Sequence, residues 1–214
     1  MPSVKPKRSY DSALRKQQAG QTRMRILDAA QKLFGERGYA ASTVEAIAAE
    51  AEVAVDTVFA SFGSKRKLLQ SLLGVRVGGD EASVDLLDRP GPQAVRRETD
   101  QRRQVAAFAA DLTSIIERAG PVDGIVRGAA AVDPDIAEFR VKAQEGRYRN
   151  MKQLVSWLAA NGPLKPGLTE ADGAAIAWAM TSTEVHHMLR VVRGWSPARY
   201  TAWLGDSLTR ILLP

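Results

Sequence analysis

Residues 25–69 read RILDAAQKLFGERGYAASTVEAIAAEAEVAVDTVFASFGSKRKLL. Met24 just before this stretch, with Ile26, Leu27, Ala30, Leu33 and Phe34 inside it, recurs at helical spacing as far as the Gly38-Tyr39 corner, so a first helix is expected from about Thr22. Ser42 followed three residues later by Glu45 has the spacing of a capping box, in which hydroxyl and carboxylate satisfy free amides of the first turn. A short helix over about 43–50 follows from it. Val53 interrupts, a second short helix is expected over about 54–60, and Ser64 is expected to cap a helix carrying Leu68, Leu69, Leu72 and Leu73. Ile47, Ala48, Ala51, Val53, Val58 and Phe62 supply a small core between the two short helices, with Ala48 small because helices cross there. Two short helices joined by a brief turn describe a helix-turn-helix, whose second helix can enter a major groove about 12 Å wide.

Upstream of this stretch the composition changes. The first 25 residues hold seven basic side chains (Lys5, Lys7, Arg8, Arg15, Lys16, Arg23 and Arg25) against one acid, Asp11, so they carry the whole formal charge of +6 and the remainder is balanced. Pro2, Pro6, Ser9, Ser12 and Gly20 give residues 1–20 the character of a flexible arm. A cationic arm on a neutral body neutralises a polyanion, either nucleic acid or an anionic membrane surface; the plainer reading is a solubilising tail.

Downstream the punctuation remains helical. Gly78-Gly79, Pro90-Gly91-Pro92, Gly120-Pro121, Asp133-Pro134, Gly162-Pro163, Pro166-Gly167 and Gly194 to Pro197 separate helices expected over 93–118, 121–131, 134–160, 169–193 and 197–212. No alternating β-branched run supplies a sheet. The fold class is all-α: an N-terminal three-helix helix-turn-helix domain over 21–68, followed by a helical-bundle regulatory domain over 69–214.

The quoted stretch resembles the N-terminal DNA-binding domain of the TetR family of transcriptional repressors over nearly 50 residues, through the helix-one pattern, Gly38-Tyr39, Thr43-Val44, Ile47-Ala48, Thr57-Val58-Phe59 and Phe62-Gly63-Ser64-Lys65. The resemblance implies a homodimer on a palindromic double-stranded operator, released by a small hydrophobic effector. Thr43, and Ser64 with Lys65, are then expected to meet phosphates; Ala54, Val55, Asp56 and Thr57 to face base edges. Asp56 either accepts from a cytosine amino group or serves as a favourable charge at a helix N-terminus. Departures from the pattern are Glu52 for the turn glycine, Ala54 for a capping serine, and Phe59 and Ser61 where a tyrosine and a histidine commonly reach phosphate. Lys5, Lys7, Arg8 and Arg15 of the arm are expected to compensate through counterion release.

For the C-terminal two-thirds the resemblance implies only a helical ligand-binding and dimerisation domain. Two amphipathic helices near the C-terminus offer Val185, Leu189, Val192, Tyr200, Trp203, Leu204, Leu208 and Ile211 as a four-helix dimer interface, or as intrachain core. Phe108, Leu112, Ile116, Phe139, Tyr148, Met151 and Trp178 are candidates to line a pocket, or simply to fill the core; Glu184 and His187, at i and i+3, are candidates to orient a ligand.

Composition narrows the function classes. Without cysteine, disulfides, thiolate nucleophiles and Cys-based metal centres drop out, and a reducing cytoplasm is the expected setting. Apolar residues at 45% and charged residues at 25% are the balance of a globular chain, with no apolar run of about 18 residues to span a membrane. No P-loop, dinucleotide fingerprint, HExxH or GxSxG is present, so no catalytic residues, cofactor or metal are expected. A non-specific binder of nucleic acid or membrane is the competing class.

Overall fold

The computed structural model describes residues 9–82 and 84–214, and among them it contains helices and no strand. Helix α1, Ser9–Ala41, begins well before Thr22. Residues 9–20, expected to be part of a flexible arm, are therefore helical: positions 13–19, Ala-Leu-Arg-Lys-Gln-Gln-Ala, all favour the helix and outweigh the single Gly20. Positions 1–8, with Lys5, Lys7 and Arg8, lie outside the described residues. Gly38, at φ 78° and ψ 161°, leaves helical geometry, as its stop role requires.

Helices α2 (Val44–Glu50), α3 (Val55–Phe62) and α4 (Lys65–Gly78) follow. The cap of α2 is Thr43, whose Oγ1 accepts from the Ala46 amide at 3.1 Å, and Ser42 is not the capping residue expected from its spacing to Glu45. Ser42 is instead wholly buried, its single hydroxyl proton shared between the carbonyls of Leu33 (2.9 Å) and Gly38 (2.8 Å) at the end of α1. Ser64 does cap α4, accepting from the Lys67 amide at 3.2 Å. The turn between α2 and α3 closes by paired bonds from Val53 N–H to Ala48 and from Glu52 N–H to Ala49, with Glu52 at φ 53°. That pairing is a Schellman end, which glycine fills without strain.

The chain divides into two compact units, residues 1–72 and 73–214, so the boundary falls inside α4. The core of the first unit is Ile26, Leu27, Ala30, Leu33, Phe34, Ile47, Ala48, Val58, Phe62, Leu68, Leu69 and Leu72. Each large side chain buried there is worth about 1.5–3 kcal/mol.

In the second unit a 3-10 turn at Leu86–Asp88 leads to α5 (Pro90–Arg97), α6 (Gln101–Ala130), α7 (Pro134–Asn161), α8 (Glu170–Met180), α9 (Thr183–His187), a π-helical turn Met188–Val192 and α10 (Pro197–Leu212). The helix expected over 93–118 is broken because Asp100 caps α6, accepting from the Arg103 amide; α6 then runs through Pro121, preceded by Gly120. Likewise Ser182 caps α9, accepting from the Val185 amide, and splits the helix expected over 169–193. Helix α6 packs on α5, α7 and α10, and α7 on α8. Among the described residues no helix is long and apolar enough to cross a membrane.

Tyr200, Leu204 and Leu208, expected at a dimer interface, have no exposed surface within one chain and pack against Phe108, Ala109, Leu112 and Leu154 in this core. An apolar stripe on a helix cannot by itself tell an intrachain neighbour from a second copy. Of the remaining expected interface residues Val185, Leu189, Trp203 and Ile211 are half-buried, and Val192 is 68% exposed.

Candidate nucleic-acid interface and ligand-binding core

The helix-turn-helix presents its expected readers outward. Ala54 and Asp56 at the start of α3 are exposed, Val55 and Thr57 are half-buried, and Val58 and Phe62 turn into the core. Ala54 offers no side-chain cap, so the first turn of α3 keeps amide donors and a favourable site for the Asp56 carboxylate. Phe59 is 45% exposed, a large apolar side chain at the position where a tyrosine is the expected residue. Exposed Thr43 is held in place by its own capping bond, and its side chain also bonds the Glu45 carboxylate, which its own backbone amide and that bond lower.

Three polar side chains tie the ends of these helices together. The Lys65 ammonium donates to the carbonyls of Tyr39 (2.9 Å) and Ser42 (3.0 Å) and lies 4.4 Å from the centre of the Tyr39 ring. It thus closes the end of α1 and sits beside Thr43, a positioning role that charge alone did not suggest. Arg23 of α1 donates to the Ser61 carbonyl at 2.5 Å and stacks over Phe62, so Ser61 contributes its backbone to the end of α3. Buried Ser42 is the third. Neither Arg23 nor Ser42 was expected to carry such a role: each reaches a carbonyl distant in sequence, which spacing does not reveal. Arg15 lies exposed on α1.

In the second unit, Phe108, Leu112, Ile116 and Met151 are core, while Phe139, Tyr148, Trp178 and Glu184 are half-buried. Tyr148 meets Trp178 edge-on at 6.4 Å. His187, expected beside Glu184, is exposed; His186 is the buried one, its Nε2 at 2.9 Å from Glu117 Oε1 and its ring edge-on to Tyr200 at 4.9 Å. The Arg190 fork, bonded to both Glu117 oxygens at 2.6 and 3.1 Å, holds that carboxyl below the usual carboxylate range, against burial and with help from His186. Glu184 sits between Arg127 (2.9 Å) and Arg140 (3.5 Å); burial opposes its charge, but its own amide and Arg127 outweigh that and lower it.

Arg147, not among the expected site residues, lies next to these groups. Its guanidinium is 4.9 Å from the centre of the Trp178 ring and donates to Trp178 O (2.8 Å) and Thr181 Oγ1 (3.2 Å). Burial pushes Arg147 below, and Tyr200 up to about 12 from, their ordinary values. An arginine set between Phe139, Tyr148 and Met151 on one helix was the available signal.

Comparison with known proteins falls into two parts. Residues 26–72 match the family described as "Bacterial regulatory proteins, tetR family". The chain is 44% identical over 52 residues to the uncharacterized HTH-type transcriptional regulator YvkB of Bacillus subtilis (strain 168), a match covering 24% of this chain and 28% of that protein. Over most of its length the fold is similar to that of NalD, the secondary repressor of the MexAB-OprM multidrug efflux pump in Pseudomonas aeruginosa (22% identity, TM-score 0.67, 90% of this chain and 97% of that one). It is similar also to SmeT in its complex with triclosan (22% identity, TM-score 0.69, 91% and 92%).

Proposed function

We propose that the chain, whose residues 26–72 match the tetR family, is a TetR-family transcriptional regulator, a ligand-responsive repressor acting as a dimer on a near-palindromic operator. The observation that carries this reading is the helix-turn-helix itself, in which exposed Ala54 and Asp56 and half-buried Val55 and Thr57 open α3, Arg23 fastens the C-terminal end of that helix through Ser61, and Lys65 fastens the end of α1 just before α2. A reading helix must hold its side chains in a narrow range of positions against base edges, and ties from α4 to the segment before α2 and from α1 to the end of α3 favour that. Thr43 and the start of α4 supply phosphate contacts, and the basic residues before Arg25 add affinity without choosing sequence.

Two-fold pairing would place two copies of α3 about 34–36 Å apart along one face of DNA. The surface favoured for it is no longer the buried stripe of α10. Met188, Val191 and Val192 are exposed in the π-helical turn, and the later turns of α8 add exposed Ala175 and Ala179. In the second unit, the aromatic surface of Tyr148 and Trp178 supports a small apolar effector, as does the triclosan bound to SmeT.

The reading is tested by retaining genomic DNA fragments on purified full-length protein and sequencing them. A single near-palindromic motif, protected by a protein that sediments as a dimer, is the expected result. Uniform retention of all fragments, or a monomer on a motif without two-fold symmetry, contradicts it.

A further inference from the structure

We propose that the effector of the second unit is an apolar monocarboxylate, its carboxylate received by Arg147, the Tyr200 hydroxyl and the Trp178 indole N–H; this rests on the ligand-responsive reading above. Among the described residues four buried side-chain polar atoms have no hydrogen-bond partner: Arg89 Nε, Arg140 Nε, Trp178 Nε1 and Tyr200 OH. All four can donate. Three of them gather about Arg147, which lies over the Trp178 ring and acts electrostatically on both Tyr200 and Arg140. A donor buried without an acceptor costs about 1–3 kcal/mol, so three unmet donors around one cation call for an acceptor that the chain does not supply.

The charges select its kind. Arg127 and Arg140 share the carboxylate of Glu184, and Asp123 accepts from the Thr183 hydroxyl at 2.6 Å. Arg147 bonds only neutral oxygens, those of Gln144, Trp178 and Thr181. Arg127, Arg140 and Arg147 thus stand against Glu184 and Asp123, while the Glu117 charge that acts on Tyr200 is already matched by Arg190. The surplus is one positive charge, which a carboxylate neutralises and a doubly charged phosphate monoester would overshoot. With Nε and Nη1 engaged by Gln144, Trp178 and Thr181, Nη2 is the nitrogen of Arg147 left to donate to a carboxylate oxygen, in a charge-assisted bond. Phe108, Leu112 and Met151 belong to the apolar core of the same unit, with Tyr148 packed against it, and an apolar chain is the rest of the molecule that suits such neighbours.

The test titrates the full-length protein, followed by tryptophan fluorescence and calorimetry, with octanoate, 1-octanol and octylamine, which share a chain and differ in charge. Octanoate is expected to saturate and to bind at least ten-fold more tightly than 1-octanol, with octylamine weakest. Tyr200→Phe is expected to bind octanoate several-fold more weakly without a lower Tm, since its hydroxyl makes no bond to lose. Arg147→Lys, which keeps the charge but cannot bond Gln144, Trp178 and Thr181 and still present a further donor in the same place, is expected to lose about ten-fold for octanoate and little for 1-octanol. Absence of saturable octanoate binding, equal affinity for 1-octanol, or parental octanoate affinity in both variants overturns the proposal. Octanoate that binds without releasing the selected operator fragment leaves this inference standing and contradicts the repressor reading; release by 1-octanol or octylamine alone does the reverse.

Discussion

The first unit makes its polar side chains fasten backbone to backbone, whereas the second leaves buried donors unmet. In residues 9–72, Ser42, Lys65 and Arg23 each close a helix end that would otherwise show bare carbonyls, and the side chains left outward at the start of α3 are those proposed above to read DNA. In residues 73–214, Trp178 Nε1, Tyr200 OH and Arg140 Nε are shut from water without an acceptor. Satisfied networks rigidify; unsatisfied ones wait for a partner. A regulator needs both kinds of region, one that holds a geometry and one whose stability a ligand can change.

The contrast can be broken most forcefully at the shared core of the second unit. Leu204→Asp buries a carboxylate where no surface is exposed, and should cost more than about 4 kcal/mol, abolishing the cooperative urea transition of that unit. A folded variant that merely loses its dimer would instead return Leu204 to an interface. Next in size is Ser42→Ala in the first unit: losing the link to Leu33 and Gly38 should cost about 1–3 kcal/mol by urea unfolding, far more than a surface serine.

These two positions also show what could be read in advance. The all-α class, the helix-turn-helix and the Ser64 cap followed from local spacing, because period and capping are local properties. Ser42 and Thr43 both satisfy a local rule, and only the fold reveals that one hydroxyl reaches back to α1. Tyr200, Leu204 and Leu208 carry a stripe that says buried without saying against what. His186 and His187 exchanged places because a break at Ser182 and a π-helical turn after His187 shift the register that a continuous helix would have. The surroundings of Arg147 are not legible from spacing, because Trp178 and Thr181 lie more than thirty residues away in sequence.

A smaller effect separates the units by pH. The Glu117 carboxyl is lowered by Arg190, so its contribution is full above the unfolded value of about 4.5 and is lost as pH falls through the lower folded value. Glu117→Gln should therefore flatten the acid limb of stability below about pH 4.5 in the second unit, with little change in the first; an unaltered acid limb measured by urea midpoints between pH 3 and 6 would show that the ion pair is inert. The smallest effect runs in the stabilising direction. Glu52, at φ 53°, holds a place that glycine fills without strain, and Glu52→Gly should raise stability by about 0.5–1 kcal/mol once the added chain entropy is deducted. A lower thermal midpoint would mean that the Glu52 side chain contributes more than its backbone strain removes.

The division of labour within the reading surface is tested most directly by measuring the affinities of parent, Asp56→Ala and Lys65→Ala for every single-base variant of the selected operator. The account predicts that Asp56→Ala changes preference at one base pair in each half-site, while Lys65→Ala weakens all variants by a common factor. Both substitutions scaling every variant alike would contradict reading of the DNA by the start of α3.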